Sequence, residues 1–183
     1  GKRWIGGMLP FFAAKLVASV VMENTPGWFY VFNDSRGVPV LGPEDTTLMN
    51  HDVYFAMLYV SVFLGDSISR RVPYFLPMGN FRSYTLLLAV ALFSSFLGFY
   101  LESFITAIVT LVAAFVAFWG NGLSYAVTAK YIDGYVPKEH NRAVYSLWCM
   151  VGDLGGVIGS AMVDVVNNFF CQKEYLHECL KHH

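Results

Sequence analysis

Apolar residues run in long blocks along this chain, and short polar stretches separate them. Five blocks are long enough to cross a bilayer, whose hydrocarbon core is about 30 Å thick and needs about 20 helical residues. The spans expected are 4–32, 52–74, 81–101, 103–129 and 143–170. The third and fourth come from one apolar run, Phe81 to Ala129. As a single helix that run would exceed about 70 Å, so it is divided at Glu102-Ser103 into a tight helical hairpin. Breakers mark the other connections. Asn33-Asp34-Ser35-Arg36-Gly37 and Leu41-Gly42-Pro43 fall after the first span, and Pro73, Pro77 and Gly79 after the second. Asp133-Gly134 and Pro137 to Asn141 fall after the fourth. The expected fold is therefore all-α and polytopic, with a helical bundle over 1–170 and a tail over 171–183.

Charge and composition fit that picture. Only 14% of the 183 residues are charged, 56% are hydrophobic and the mean hydropathy is +0.49. A soluble domain carries about 25% charged residues. Aromatics reach 17%, which suits interfacial belts and large apolar faces. No basic stripe is present, so nucleic acid is not expected as a partner. The lipid bilayer is.

The basic residues orient the bundle. If the N-terminus is cytoplasmic and five helices alternate, then Lys2, Arg3, Arg70, Arg71, Arg82, Lys130, Lys138 and Arg142 all lie on the cytoplasmic side. That is eight of the twelve Lys and Arg, the bias of the positive-inside rule. The sequon Asn33-Asp34-Ser35 then falls in an outer loop. The chain opens Gly1-Lys2-Arg3 without an initiator Met, and its first apolar run has no cleavage-site pattern. The start reads as an internal cut in a longer protein. Cys149, Cys171 and Cys179 show no metal spacing; Cys171 and Cys179 are either free thiols or a pair in the tail.

Polar residues inside the spans are the candidates for chemistry. An ionisable group at the bilayer centre costs roughly 2.5–3.5 kcal/mol, so each such residue needs a reason. Asp66 and Arg70 stand four apart and share a helix face. Together they offer a carboxylate acceptor and a directional fork of donors, suited to a solute with several hydroxyls. The plainer reading has Arg70-Arg71 stopping the helix at the interface with Asp66 as a surface partner. Val62, Tyr59 and Phe55 continue that face, as a substrate path or a helix contact. Asn121-Gly122 interrupts the fourth span with a buried amide that needs a partner. Gly152, Gly155, Gly156 and Gly159 form a small-residue stripe, read as helix packing. Lys15 and Asp153 are further embedded charges; Lys15 either pairs with an acid such as Asp153 or snorkels. No nucleophile–base pair or metal cluster is visible, so no enzyme activity or cofactor is expected.

Three of these features, in this order, resemble the equilibrative nucleoside transporter family. Asp66-Ser67-Ile68-Ser69-Arg70 is similar to that family's Asp-x-x-Gly-Arg element, with Ser69 in place of the glycine. Asn121-Gly122 and the small-residue last span resemble its tenth and eleventh helices, and Pro26-Gly27-Trp28 its seventh-helix end. The resemblance implies the last five of eleven helices in a half of a major-facilitator-like carrier, with an N-terminal six-helix half as partner. It implies nucleoside transport by alternating access, with Asp66 and Arg70 on the ribose hydroxyls and Asn121 and Tyr59 beside them. The other readings are a battenin-like or other major-facilitator carrier, and a non-transporting membrane scaffold.

Overall fold

A computed structural model describes residues 3–24, 37–41, 46–101 and 106–171, with side chains between 4 and 166. The Pro26-Gly27-Trp28 element, the sequon, the Glu102-Ser103 break and the tail lie outside the described residues, as do the side chains of Cys171 and Cys179.

The chain is all-α apart from one small ladder. Its elements are α1 (Arg3–Asn24), β1 (Val38–Pro39), β2 (Leu48–Met49), α2 (His51–Ser69), α3 (Val72–Phe75), α4 (Phe81–Leu101), α5 (Ala107–Tyr135) and α6 (Asn141–Cys171). Five helical spans are long and apolar enough to cross a membrane: Trp4–Asn24, His51–Phe75, Phe81–Leu101, Ala107–Tyr135 and Asn141–Val166.

Two element ends differ from the sequence reading. The second span is not one unbroken helix to Tyr74. α2 ends at Ser69, Arg70-Arg71 turns, and α3 restarts with Pro73 in its first turn. Pro73 has no N–H to offer the carbonyl four residues back, that of Ser69, but fits a helix start, so α2 ends at Ser69 and a new helix opens around the proline. The fourth helix does not stop at Ala129 but runs on to Tyr135. Lys130 permits this by reaching out of the helix, where its Nζ donates to Pro73 O (2.6 Å) and Leu76 O (3.3 Å). α5 is also continuous through Trp119-Gly120-Asn121-Gly122.

α5 is the central post. α2 and α4 pack on its sides, α1 leans on α4 and α5, and α6 packs mainly on α1. The main core joins Met8, Phe11 and Ala14 of α1 to Tyr84 and Leu88 of α4 and Leu123, Val127 and Tyr131 of α5. Outside water, apolar burial gives helices little reason to associate, so close backbone approach over small residues carries much of the packing. Gly98 and Gly120 join α4 to α5, with a Cβ on Gly98 falling 2.6 Å from Ala113 O. A Cβ on Gly65 of α2 would meet Phe115 O of α5, and one on Gly122 would meet Ser69 Oγ and Asp66 O. On α6, Cβ atoms at Gly155 and Gly159 would fall 2.6 Å from Leu16 O and 2.9 Å from Val20 O of α1. Gly156 is looser, its nearest neighbour being Glu23 Oε1 at 3.5 Å.

The helix ends pair as an alternating bundle requires. Trp4 stacks on His140 (5.4 Å between centroids), Tyr135 Oη donates to Gly79 O (2.8 Å), and Lys130 holds the 73–76 turn. These contacts bring the start of α1, the α2–α4 connection and the α5–α6 connection to one end, where Arg71, Arg82, Lys138 and Arg142 also lie. At the other end β1 and β2 pair antiparallel, Val38 opposite Met49. Val38 is buried with Tyr54, Leu58, Ala107 and Leu111, which seals the α2–α5 seam from above.

Candidate functional site

α5 places Asn121 at its centre, with fourteen helical residues on either side. Gly122 beside it lets α2 come close enough for the two helices to exchange a polar contact. Asn121 Nδ2 donates to Asp66 Oδ1 at 3.3 Å, and Arg70 Nε donates to Asp66 Oδ2 at 2.8 Å. Both carboxylate oxygens are therefore held, one from each helix. The Arg70–Asp66 contact is a charge-assisted bond along one helix face. The pair is not a fully exposed surface partnership, since the Asp66 side chain keeps 23% of its accessible surface and Arg70 keeps 43%.

The Arg70 guanidinium lies over the Tyr125 ring, with Cζ 4.3 Å from the centroid. Tyr125 stands one turn below Asn121 on the same face of α5. It meets Trp148 of α6 edge to face at 5.1 Å. Trp148 is 2% exposed, and Lys15 Nζ of α1 sits over its ring at 5.1 Å. A chain of polar and aromatic contacts thus crosses four helices, from Asn121 through Asp66, Arg70, Tyr125 and Trp148 to Lys15.

That chain borders a groove of about 700 Å³ between α1, α5 and α6. The volume is in the range of ligand pockets. Lys15, Asn121, Tyr125, Trp148 and Asp153 line it, with Glu23 and Ser160 toward the far end and Cys149 exposed between. Lys15 and Asp153 lie near the middle of their spans, as Asn121 does. The groove therefore carries Lys15, Asn121 and Asp153 near the middle of three spans.

The sequence candidates separate in this frame. Asp66, Arg70 and Asn121 come together. Tyr59 stays on the same face of α2 but is 70% exposed and lies outside the cluster. Gly152, Gly155 and Gly159 pack on α1, and Gly152 also fixes the Lys15 stem, because a Cβ there would meet Lys15 Cε. Lys15 does not pair with Asp153, and among the described residues no carboxylate lies within 4.0 Å of its amine. Tyr125 and Trp148 were not singled out from sequence. Tyr125 had a signal, since it repeats on α5 the four-residue spacing of Asp66 and Arg70 on α2. Trp148 had none. Among the described residues no His, Cys, Asp and Glu group is arranged to hold a metal ion. No protein-family model, curated protein or solved structure matches the chain.

Proposed function

We propose that this chain is the substrate-binding C-terminal half of a membrane carrier for nucleosides, working by alternating access. The observation that carries the reading is the Asp66 carboxylate, held by Arg70 and Asn121 beside a mid-membrane groove. Arg70 spends its Nε on Asp66 and keeps its terminal donors, while Asp66 keeps unused lone pairs. A pair of neighbouring hydroxyls, as on a ribose, can then accept from Arg70 and donate to Asp66. The resemblance of Asp66 to Arg70 to the nucleoside-carrier element points the same way. In this reading the open side of the groove faces a six-helix N-terminal half. The basic end is cytoplasmic, the C-terminus is outside, and the host is the plasma membrane.

Uptake of labelled adenosine and uridine by the complete gene product tests the reading. Hydrogen bonds to charged groups contribute about 1.5–3 kcal/mol, so Asp66→Ala and Arg70→Ala should each lower uptake by about tenfold to a hundredfold at equal surface amount. Wild-type uptake in both variants would sink it. A second reading, a non-transporting scaffold, is favoured by the close α1–α6 glycine seam. Upstream sequence separates the two, because six preceding helices belong only to the carrier.

A further inference from the structure

Lys15 is the charge that the reading above leaves without a task. It sits mid-span on α1 and lines the groove, and it touches the Trp148 ring but no carboxylate among the described residues. Two acids share the groove, neither within 4.0 Å of the amine. Glu23 accepts from Ser160 Oγ at 3.4 Å, two turns further along α1, and Asp153 projects from the exposed side of α6. An ammonium at this depth is costly, and an aromatic face offsets only part of that cost. The amine's donors are open to an acceptor that enters the groove. Gly152 leaves room for the stem to lie flat against α6.

The chemistry of the group narrows the solute. An ammonium has three donors and no acceptor, so it favours a carbonyl oxygen and gains nothing from an amino group in the same place. The ring contacts from Arg70 through Tyr125 and Trp148 to Lys15 span 4.3, 5.1 and 5.1 Å in turn. Tyr125, which carries the Arg70 guanidinium, and Lys15 line the same groove, so a solute that enters it from Asp66 and Arg70 has the amine ahead of it. Resting on the nucleoside reading, we propose that Lys15 is a second substrate contact, which selects nucleosides whose base carries an oxo group over those carrying an amino group at that position.

The test uses two matched pairs, inosine against adenosine and uridine against cytidine, with uptake kinetics of the complete gene product. Lys15→Met should reduce kcat/KM for the oxo member of each pair by about tenfold or more, as loss of a bond to a charged donor does. The amino member should stay within about twofold. Lys15→Arg should restore the preference. Gly152→Ala, which puts a methyl where Lys15 Cε lies, should move selectivity in the same direction as Lys15→Met without removing the amine. If Lys15→Met does not reach the membrane, Lys15→Gln and Gly152→Ala read the same ratio. Equal losses for both members, or an unchanged ratio, overturn the proposal and leave the nucleoside reading standing. No uptake of any of the four by the wild type removes both.

Discussion

Asp66 lies on the α2–α5 seam and Lys15 on the α1–α6 seam, and each stands against a glycine of the facing helix. Their surroundings differ. At Asp66 the close approach of Gly122 brings in an amide from the neighbouring helix, and Arg70 completes the shell, so both carboxylate oxygens are bonded. At Lys15 the close approach of Gly152 supplies only a surface for the stem, and the amine meets a ring face. The α2–α5 wall is thus preorganised. The α1–α6 wall presents a charge that meets a ring face and has no carboxylate within 4.0 Å among the described residues. Removing a polar group should therefore weaken the fold at one wall and strengthen it at the other.

The largest effect is expected where the seam itself is filled. Gly122→Leu places a side chain on Asp66 O and Ser69 Oγ, so α2 has to move away from α5 and the Asn121–Asp66 bond breaks. Overpacking costs about 1–3 kcal/mol and more when backbone is displaced, so the variant should lose several degrees of apparent Tm in detergent, and all uptake. A variant with wild-type Tm would mean that the seam is loose.

Asp66→Ala and Lys15→Met come next, and their opposite signs test the comparison directly. Asp66→Ala leaves Asn121 and the half-buried Arg70 without their acceptor, a loss on the order of 1–3 kcal/mol. Lys15→Met removes an embedded charge and keeps the length of the side chain. It should raise apparent Tm by an amount on the order of 1 kcal/mol, less than insertion scales give because the groove admits water. Such a gain in stability with a loss of selectivity is the usual signature of a functional charge. Destabilisation by Lys15→Met would show that the amine has a structural acceptor.

Most of the frame was legible in the sequence because bilayer thickness sets a length that apolar runs either meet or do not. The five spans follow from that, and so does the meeting of basic residues at one end. The ends of helices were harder. The apolar run ends at Ala129, yet α5 continues through Lys130, whose flexible stem carries the amine out to Pro73 O. Arg70-Arg71 was readable either as a stop or as a passage to Tyr74, and α2 does end there, at Ser69. In the site, Asp66 and Arg70 were legible from a four-residue spacing, which is a local property. Their junction with Asn121 depends on Gly122 facing α2, and the seating of Lys15 depends on Trp148 arriving from α6. Neither is encoded at any fixed spacing.

Tyr125 provides the finest probe of the difference between the walls. Its ring lies under Arg70 and edge-on to Trp148, so it joins the preorganised wall to the open one. Tyr125→Leu removes the ring and leaves Arg70 bonded to Asp66 through Nε. A cation–ring contact of this exposure contributes about 0.5–1 kcal/mol, so uptake should fall only about twofold to fivefold at little change in Tm. The oxo-to-amino ratio should stay near that of the wild type, because Lys15 keeps its own ring on Trp148. If that ratio collapses along with uptake, the two walls act as one unit through Tyr125. The contrast between a satisfied carboxylate and a waiting amine would then have to be redrawn as a single coupled network.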